Sequence, residues 1–378
     1  YLLENPHGCI MTLIPKKGLA AQREKELEEK LEAYRSSLSE EQLDAMVEKT
    51  KALEAYQEAG EDPKALECIP MLKRSDIKRE AAKIINEELT VDDSLFLYHD
   101  VCTNGIGYVD LMFKTDSIAP EQIPYLGLLK SVLGYVDTEN YTYGELFNEI
   151  NANTGGINCG VEVFDRADST EEFQAMFSVR GKALYTKMDF LFKMIGEILN
   201  SSKLEDTKRL YEIVASVKSR AQVNLTGAGH STAVLRAAAY SSPMAAFQDE
   251  MAGIGYYQFI EKLEKDFEQR KEETVEELCK LMKEILRPEN FMISYTGERE
   301  SLEIVQKLAG AVKAGLGTEP VEKSKEKLTC TKKNEGFKTS GQVQYVAQTG
   351  NFKKKGLEYT GALEILKVIL SYDYLWMN

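Results

Sequence analysis

Apolar and polar positions recur at two different periods along this chain, and each change of period marks a new element. From Leu19 to Tyr56 the sequence is rich in Glu, Lys, Ala and Leu. Two narrow apolar stripes run through it at helical spacing: Leu27, Leu31, Tyr34 and Leu38, then Leu43, Met46, Val47, Leu53 and Tyr56. Between them Ser39-Glu40-Glu41-Gln42 has the form of a capping box, and Gly60 followed by Pro63 closes the second helix. The pattern predicts a charged helical hairpin over 18–65, read either as a plain spacer or as a hinge strut.

Beyond "IPMLKRSDI" (69–77) helical and alternating stretches mix. Ser94–His99 reads as a strand, and 105–113 as a second one entered through a turn at Thr103-Asn104-Gly105. Helices are expected at 120–135 and 143–152, the second opened by a capping box at Thr142–Glu145. Residues 154–164 turn into a strand, with 171–181 as its hairpin partner. Helices then dominate 185–223, 231–251 and 256–286; a strand follows at 290–297, and a helix at 299–315 turns Leu302, Val305, Leu308 and Val312 inward. Strands broken by long helices predict an α+β protein: an antiparallel sheet with flanking helices, preceded by the helical hairpin.

The ends read differently. Cys9 to Ile14 is strand-like with no earlier partner, and residues 317–341 are polar and unperiodic, as in a linker. A strand at 342–348 and an apolar helix from Leu357 to Leu370 follow, with Tyr374, Leu375, Trp376 and Met377 extending the apolar run. Some forty residues are too few for a core of their own. The expected domains are therefore a tail strand (1–17), the hairpin (18–65), one complete α+β domain (66–316), a linker (317–338) and the start of another domain (339–378), with self-association through the two incomplete ends.

Composition narrows the partners. Of 378 residues 43% are hydrophobic and 29% charged, with a formal net charge of −14. An acidic surface disfavours nucleic acid and suits basic peptides, although acidity for solubility alone gives the same count. No apolar run approaches the ~18 residues of a membrane span. Cys9, Cys68, Cys102, Cys159, Cys279 and Cys330 are scattered without a C-x-x-C pair, as expected of reduced thiols in the cytoplasm.

Several separated motifs resemble one family. "YLLENPHGCIMTLIP" before a charged hairpin, "TNGIGYVDLMF", "APEQIPYLGLLKSVLGYVDTENYTYGELFNEINANTGGI" and "YSSPMAAFQDEMAGIGYYQFIEKLEKDFE" are similar, in order, to the presequence-protease branch of the pitrilysin/insulinase zinc metallopeptidases. The segments Tyr141–Glu145, Thr154–Ile157 and Gly253–Phe259 carry most of the likeness. The resemblance implies a clamshell of two halves around a peptide chamber, with zinc held in the first half by an inverted H-x-x-E-H motif. This chain would correspond to the tail of the first half, the hinge, the non-zinc third domain and the beginning of the fourth. It would stop before an Arg and a Tyr that reach the zinc site.

The residues carry no hydrolytic constellation of their own. His7, His99 and His230 are the only histidines, and none has a second one three or four residues away. In the resemblance, "PYLGLLKSVL" (124–133) takes the place of the zinc helix, with Tyr125, Leu128 and Leu129 in the ligand slots. His99-Asp100 could orient an imidazole for a nucleophile, but no Ser or Cys is tied to it, and at a strand end a surface or turn histidine is the better account. "TGAGHST" (226–232) lacks the lysine of a phosphate loop and reads as a helix start capped by Ser231 or Thr232. We expect no catalytic residue, no metal ligand and no cofactor here, with zinc only in the parent enzyme. Peptide contact is left to the strands 105–113 and 157–164, or to Tyr256, Tyr257 and Phe259, although aromatics on a helix are more often core than site. The expected function is a non-catalytic hinge and chamber wall of a zinc metalloendopeptidase acting on unstructured peptides, partnered by the N-terminal half of the same polypeptide. The competing expectation is a stand-alone peptide-binding or scaffolding module.

Overall fold

Local sequence accounts for the first two helices. The computed structural model describes the chain except residues 1–7, 10, 13, 15, 61, 167, 168, 322, 323, 325–327, 339–342 and 375–378. It divides into two units, Tyr1–Ala82 and Lys83–Asn378. In the first, α1 (Leu19–Ser37) and α2 (Glu40–Glu58) precede the single turn α3 (Pro63–Leu66). Ser39 closes the expected box: its Oγ accepts the Gln42 N–H at 3.3 Å, and Gln42 Oε1 accepts the Ser39 N–H at 2.9 Å. The apolar seam expected between the helices is not packed. Leu27, Leu31, Tyr34 and Leu53 are all more than half exposed, and α2 buries no residue. A stripe this narrow, flanked by charges on both sides, offers too little area to draw a second layer onto it. These helices therefore rest on propensity and capping.

The second unit holds the sheet. Its strands are β1 (Glu87–Val91), β2 (Ser94–Asp100), β3 (Ile106–Lys114), β4 (Ile157–Asp165), β5 (Phe173–Leu184) and β6 (Phe291–Gly297), in the order β1-β2-β6-β3-β5-β4. Alternation in Glu87–Val91 is too short to announce β1. The usable signal was Asp92-Asp93, whose φ of 46° and 64° makes the two-residue hairpin turn that Asp tolerates. The turn at Asn104-Gly105 forms as expected, also with positive φ. It does not join neighbouring strands, however, because β6 lies between β2 and β3. β6 runs parallel to β2 and antiparallel to β3, so the sheet is mixed where a wholly antiparallel one was expected. The β4–β5 hairpin pairs as read from the sequence.

Helices α4 (Ile123–Val132), α5 (Tyr143–Asn153), α6 (Met188–Ser201), α7 (Thr207–Gly227), α8 (Gly229–Ala239), α9 (Pro243–Ala252), α10 (Ile254–Lys265), α11 (Phe267–Ile285) and α12 (Leu302–Ala314) accompany the sheet; α13 (Gly361–Ile369) comes last. Phe96, Tyr98, Leu111, Phe113, Phe177, Ile293 and Tyr295 project from the inner face of the sheet and are fully buried in one core with Leu126, Leu129, Leu191 and Ile195. Thr142 and Glu145 make their capping box, closing α5 onto the turn before it. The α+β expectation is met. Two end strands are not: residues 343–348 form none, and at Cys9–Ile14 the described residues form none, Ile10 and Leu13 lying outside the described residues. A strand needs a partner ladder, and none reaches either stretch.

The polar segment after α12 is tied down by charge. Arg236 on α8 donates from Nη1 to Asp249 Oδ2 at 2.6 Å and from Nε to Glu335 Oε2 at 2.8 Å. The Tyr240 hydroxyl donates to the same Glu335 oxygen at 2.6 Å. Asp249 in turn accepts the Ile254 and Gly255 N–H groups at the start of α10. The Arg236 guanidinium holds the Glu335 carboxyl down to about 2.

Replacing Ser39 by Ala removes the cap from a helix with no buried face, and should cost about 1 kcal/mol of local stability. Hydrogen exchange in α2 will report it, and unchanged protection there would contradict the assigned cap. Glu335 offers a pH test. A carboxyl depressed in the fold stabilises it above the unfolded value of about 4.3 and loses that contribution as pH falls toward the folded value. Melting temperatures of the wild type and Glu335→Gln should therefore converge between pH 6 and pH 3. A pH-independent gap would show that the charge is not the contribution.

Candidate functional site

Strand alternation sorts the sheet into two faces, and the chemistry lies on the outer one. Val109, Leu111 and Val179 turn inward and are buried, so Tyr108, Asp110, Arg180 and Lys182 turn outward. Register then aligns them: Tyr108 faces Lys182 and Thr296, while Asp110 faces Arg180 and Ser294. Asn158 lies beside Arg180 on β4. Together with Gly155 and Gly156 these residues line a groove of about 480 Å³ that crosses β6, β3, β5 and β4.

Its charges are arranged strand by strand. Arg180 donates from Nε to Asp110 Oδ2 at 2.8 Å, and its Nη1 lies 3.1 Å from Glu162 Oε1. Burial holds the Asp110 carboxyl above its ordinary range, and Arg180 offsets this only in part. Lys182 lies otherwise. Its ammonium is 6.0 Å from the Tyr108 ring centroid, and among the described residues it makes no ion pair. Its stem rests on Gly155, where an added Cβ would come within 2.6 Å of Lys182 Cγ. Glycine is needed there for the lysine to lie along the groove.

Of the sequence candidates, the structure brings some to this place and sends others elsewhere. β3 is an interior strand and contributes only its outer face, whereas β4 is an edge strand with one side of its backbone unpaired by sheet. Tyr256 is buried in the core, and Phe259 packs edge-on against Tyr125 with centroids 4.8 Å apart, so this aromatic group belongs to the helical layer. Tyr257 donates to Glu261 within α10. His99 is not at a free turn. Its Nδ1 is 2.7 Å from the Ile85 carbonyl and its Nε2 is 3.2 Å from Ser294 Oγ. A carbonyl can only accept, so Nδ1 carries the proton, and in the neutral ring Nε2 accepts from the Ser294 hydroxyl. The imidazole thus positions a groove hydroxyl. Ser294 was invisible as a partner in the sequence because 195 residues separate the two.

His230 on α8 faces the Tyr345 ring, and His7 lies outside the described residues. Neither Ser231 nor Thr232 caps α8; the capping position is Ala228, which makes no side-chain bond. Leu128 and Leu129 are buried in the core, and the Tyr125 hydroxyl is engaged with Glu273 and Arg270. Among the described residues no group of three or more His, Cys, Asp or Glu is placed to hold a metal ion. No helix among them is long and apolar enough to cross a membrane.

Comparison with known proteins is informative over the whole length. The chain is 36% identical over 376 residues to the protein HypA of Clostridium perfringens, covering all of this chain and 38% of that protein. It is 27% identical to presequence protease 1, chloroplastic/mitochondrial, of Arabidopsis thaliana, over 99% of this chain and 35% of that protein. With the mitochondrial presequence protease of Yarrowia lipolytica it shares 26% identity, over 99% of this chain and 38% of that protein. The chain thus spans little more than a third of the length of these relatives. A solved peptidase M16 inactive domain from Pseudomonas fluorescens superposes with a TM-score of 0.42 at 14% identity, over 63% of this chain and 53% of that one. The family pattern for the region associated with M16 peptidases of subgroup C matches residues 13–263, from the first helical unit through β5 and into α10. On that match, which takes in most of the elements that build the groove, the chain belongs to the associated-domain family of the subgroup C peptidases of family M16.

Proposed function

We propose that this chain is a peptide-facing, non-catalytic part of a zinc-dependent metalloendopeptidase, and that the outer face of its sheet is the wall against which an unstructured peptide lies. The single observation that carries this is the groove across four strands, lined by charged and hydroxyl-bearing side chains on a sheet whose other face is committed to the core. An extended chain presents amide groups at regular spacing, and the hydroxyls of Tyr108 and Thr296 with the Asn158 amide are suited to meet them. The neighbouring β4 edge offers the alternative of strand addition. Family membership and likeness to presequence proteases favour peptide over other polymers. The uncovered stripes of α1 and α2 suit a hinge strut, since such faces are available to the rest of a larger enzyme. The catalytic half, its zinc and its activated water would come from outside this chain, in a cytoplasmic enzyme.

Two assays on the 378-residue chain test this. A fluorescent unstructured peptide should bind with a measurable anisotropy change, weakened by Tyr108→Ala, while a quenched fluorogenic version of that peptide stays intact. Chelator-sensitive cleavage by this chain alone, with contaminating proteases excluded, would overturn the non-catalytic reading; absence of binding would overturn the wall.

A further inference from the structure

Most charged side chains of the groove are matched to one another, and one is not. Arg180 is shared between Asp110 and Glu162, so its charge is committed to two carboxylates. Ser294 is committed to His99. Lys182 stands out: two residues along β5 from Arg180 and on the same face, it has an aromatic face near it and no carboxylate partner among the described residues. This is a cation held over a groove in a chain whose net charge is −14. A lysine on an acidic surface ordinarily finds a counter-ion nearby. Here the stem is laid against Gly155, and the ammonium stands 6.0 Å from the Tyr108 ring centroid. Thr296 lines the same groove one strand further on, beyond Tyr108.

From this geometry we infer that Lys182 forms a subsite for a single carboxylate of a bound peptide, with the Tyr108 ring as its wall; the inference rests on the peptide-wall reading. The charge count selects the ligand class. A monoanion matches one unpaired ammonium. A phosphate dianion would need further cations, and Arg180 offers none, because the two carboxylates that hold it, Asp110 and Glu162, already outnumber its single charge. Lys supplies a point charge on a flexible stem, which suits a carboxylate arriving from either of two sources, an acidic side chain or a peptide C-terminus.

The test is a fluorescence-anisotropy titration of the full 378-residue chain with four labelled nonapeptides. They carry Glu or Gln at the centre, and each is made as the free acid and as the C-terminal amide. The expected result is about fivefold tighter binding of at least one carboxylate-bearing form, the size of one partly exposed charge contact. Glu over Gln identifies a side chain, and acid over amide identifies a terminus. The preference should vanish in Lys182→Gln and survive in Lys182→Arg, with circular dichroism confirming that both fold. Equal binding of all four peptides, or a preference that persists in Lys182→Gln, overturns the subsite while leaving the peptide wall standing. In parallel, acetate and acetamide are titrated against the chain with lysine side chains isotope-labelled for NMR. If no peptide binds yet acetate and not acetamide shifts the Lys182 resonance, the carboxylate subsite stands and the wall reading falls. If neither peptide nor acetate has an effect, both fall.

Discussion

The insertion of β6 between β2 and β3 is the constraint on which the rest of this fold depends. β2 ends at Asp100 and β6 begins at Phe291, so the pairing closes a loop that contains most of the domain. Entropy opposes such closure, by an amount that grows slowly with length, and local contacts must offset it. They do so at several points. Tyr98 stacks on Tyr295 at 6.1 Å, and its hydroxyl donates to the Gly297 carbonyl at 3.1 Å. Past the end of β6, Glu298 accepts the Thr103 and Asn104 N–H groups at 3.0 and 3.1 Å, with the Tyr185 hydroxyl donating to the same carboxylate. One acidic side chain thereby joins the turn before β3, the end of β5 and the end of β6. Without β6, the β1–β2 hairpin would share no ladder with β3, β5 and β4.

The groove is a product of that insertion. Its floor draws Ser294 and Thr296 from β6, Tyr108 and Asp110 from β3, Arg180 and Lys182 from β5, and Asn158 from β4. The side chains differ in how far they are already satisfied. Asp110, Arg180 and Glu162 form a ladder of charge across three strands, and His99 fixes Ser294 from β2. Such cross-strand pairs hold a sheet surface in one arrangement and so preorganise what remains. What remains is one ammonium and a few hydroxyls.

The two units show contrasting routes to stability. In the second, Leu, Ile, Phe and Tyr from both layers are buried to within a few per cent, and capping only sets helix ends. In the first, none of the described side chains of α1 and α2 is buried, so Ser39 and the Ala, Glu, Lys and Leu content carry the helices by themselves. A family pattern that spans both kinds of structure covers a core that folds for its own sake and helices whose apolar stripes are left uncovered.

What the sequence alone determined is whatever is set within a few residues. The boxes at Ser39–Gln42 and Thr142–Glu145, the helices from α4 to α12, the Asn104-Gly105 turn and the β4–β5 hairpin all follow from spacing, caps and turn residues. The family itself was legible because its motifs are local strings. Tertiary structure decided the rest. Alternation in 105–113 gives a strand with two faces, but it cannot say that β6 and β5 take both its edges; of the two candidate peptide-binding strands, β4 alone keeps an edge. The stripes of α1 and α2 promise a packed seam that charge and narrowness forbid. Arg180 and Lys182 lie two residues apart in sequence, with the same charge and the same outward direction. Whether each is paired depends on what register sets opposite it: a carboxylate, Asp110, in one case, and an aromatic ring, Tyr108, in the other. Register across strands is fixed by burial of the whole inner face, a property that no short stretch of sequence contains.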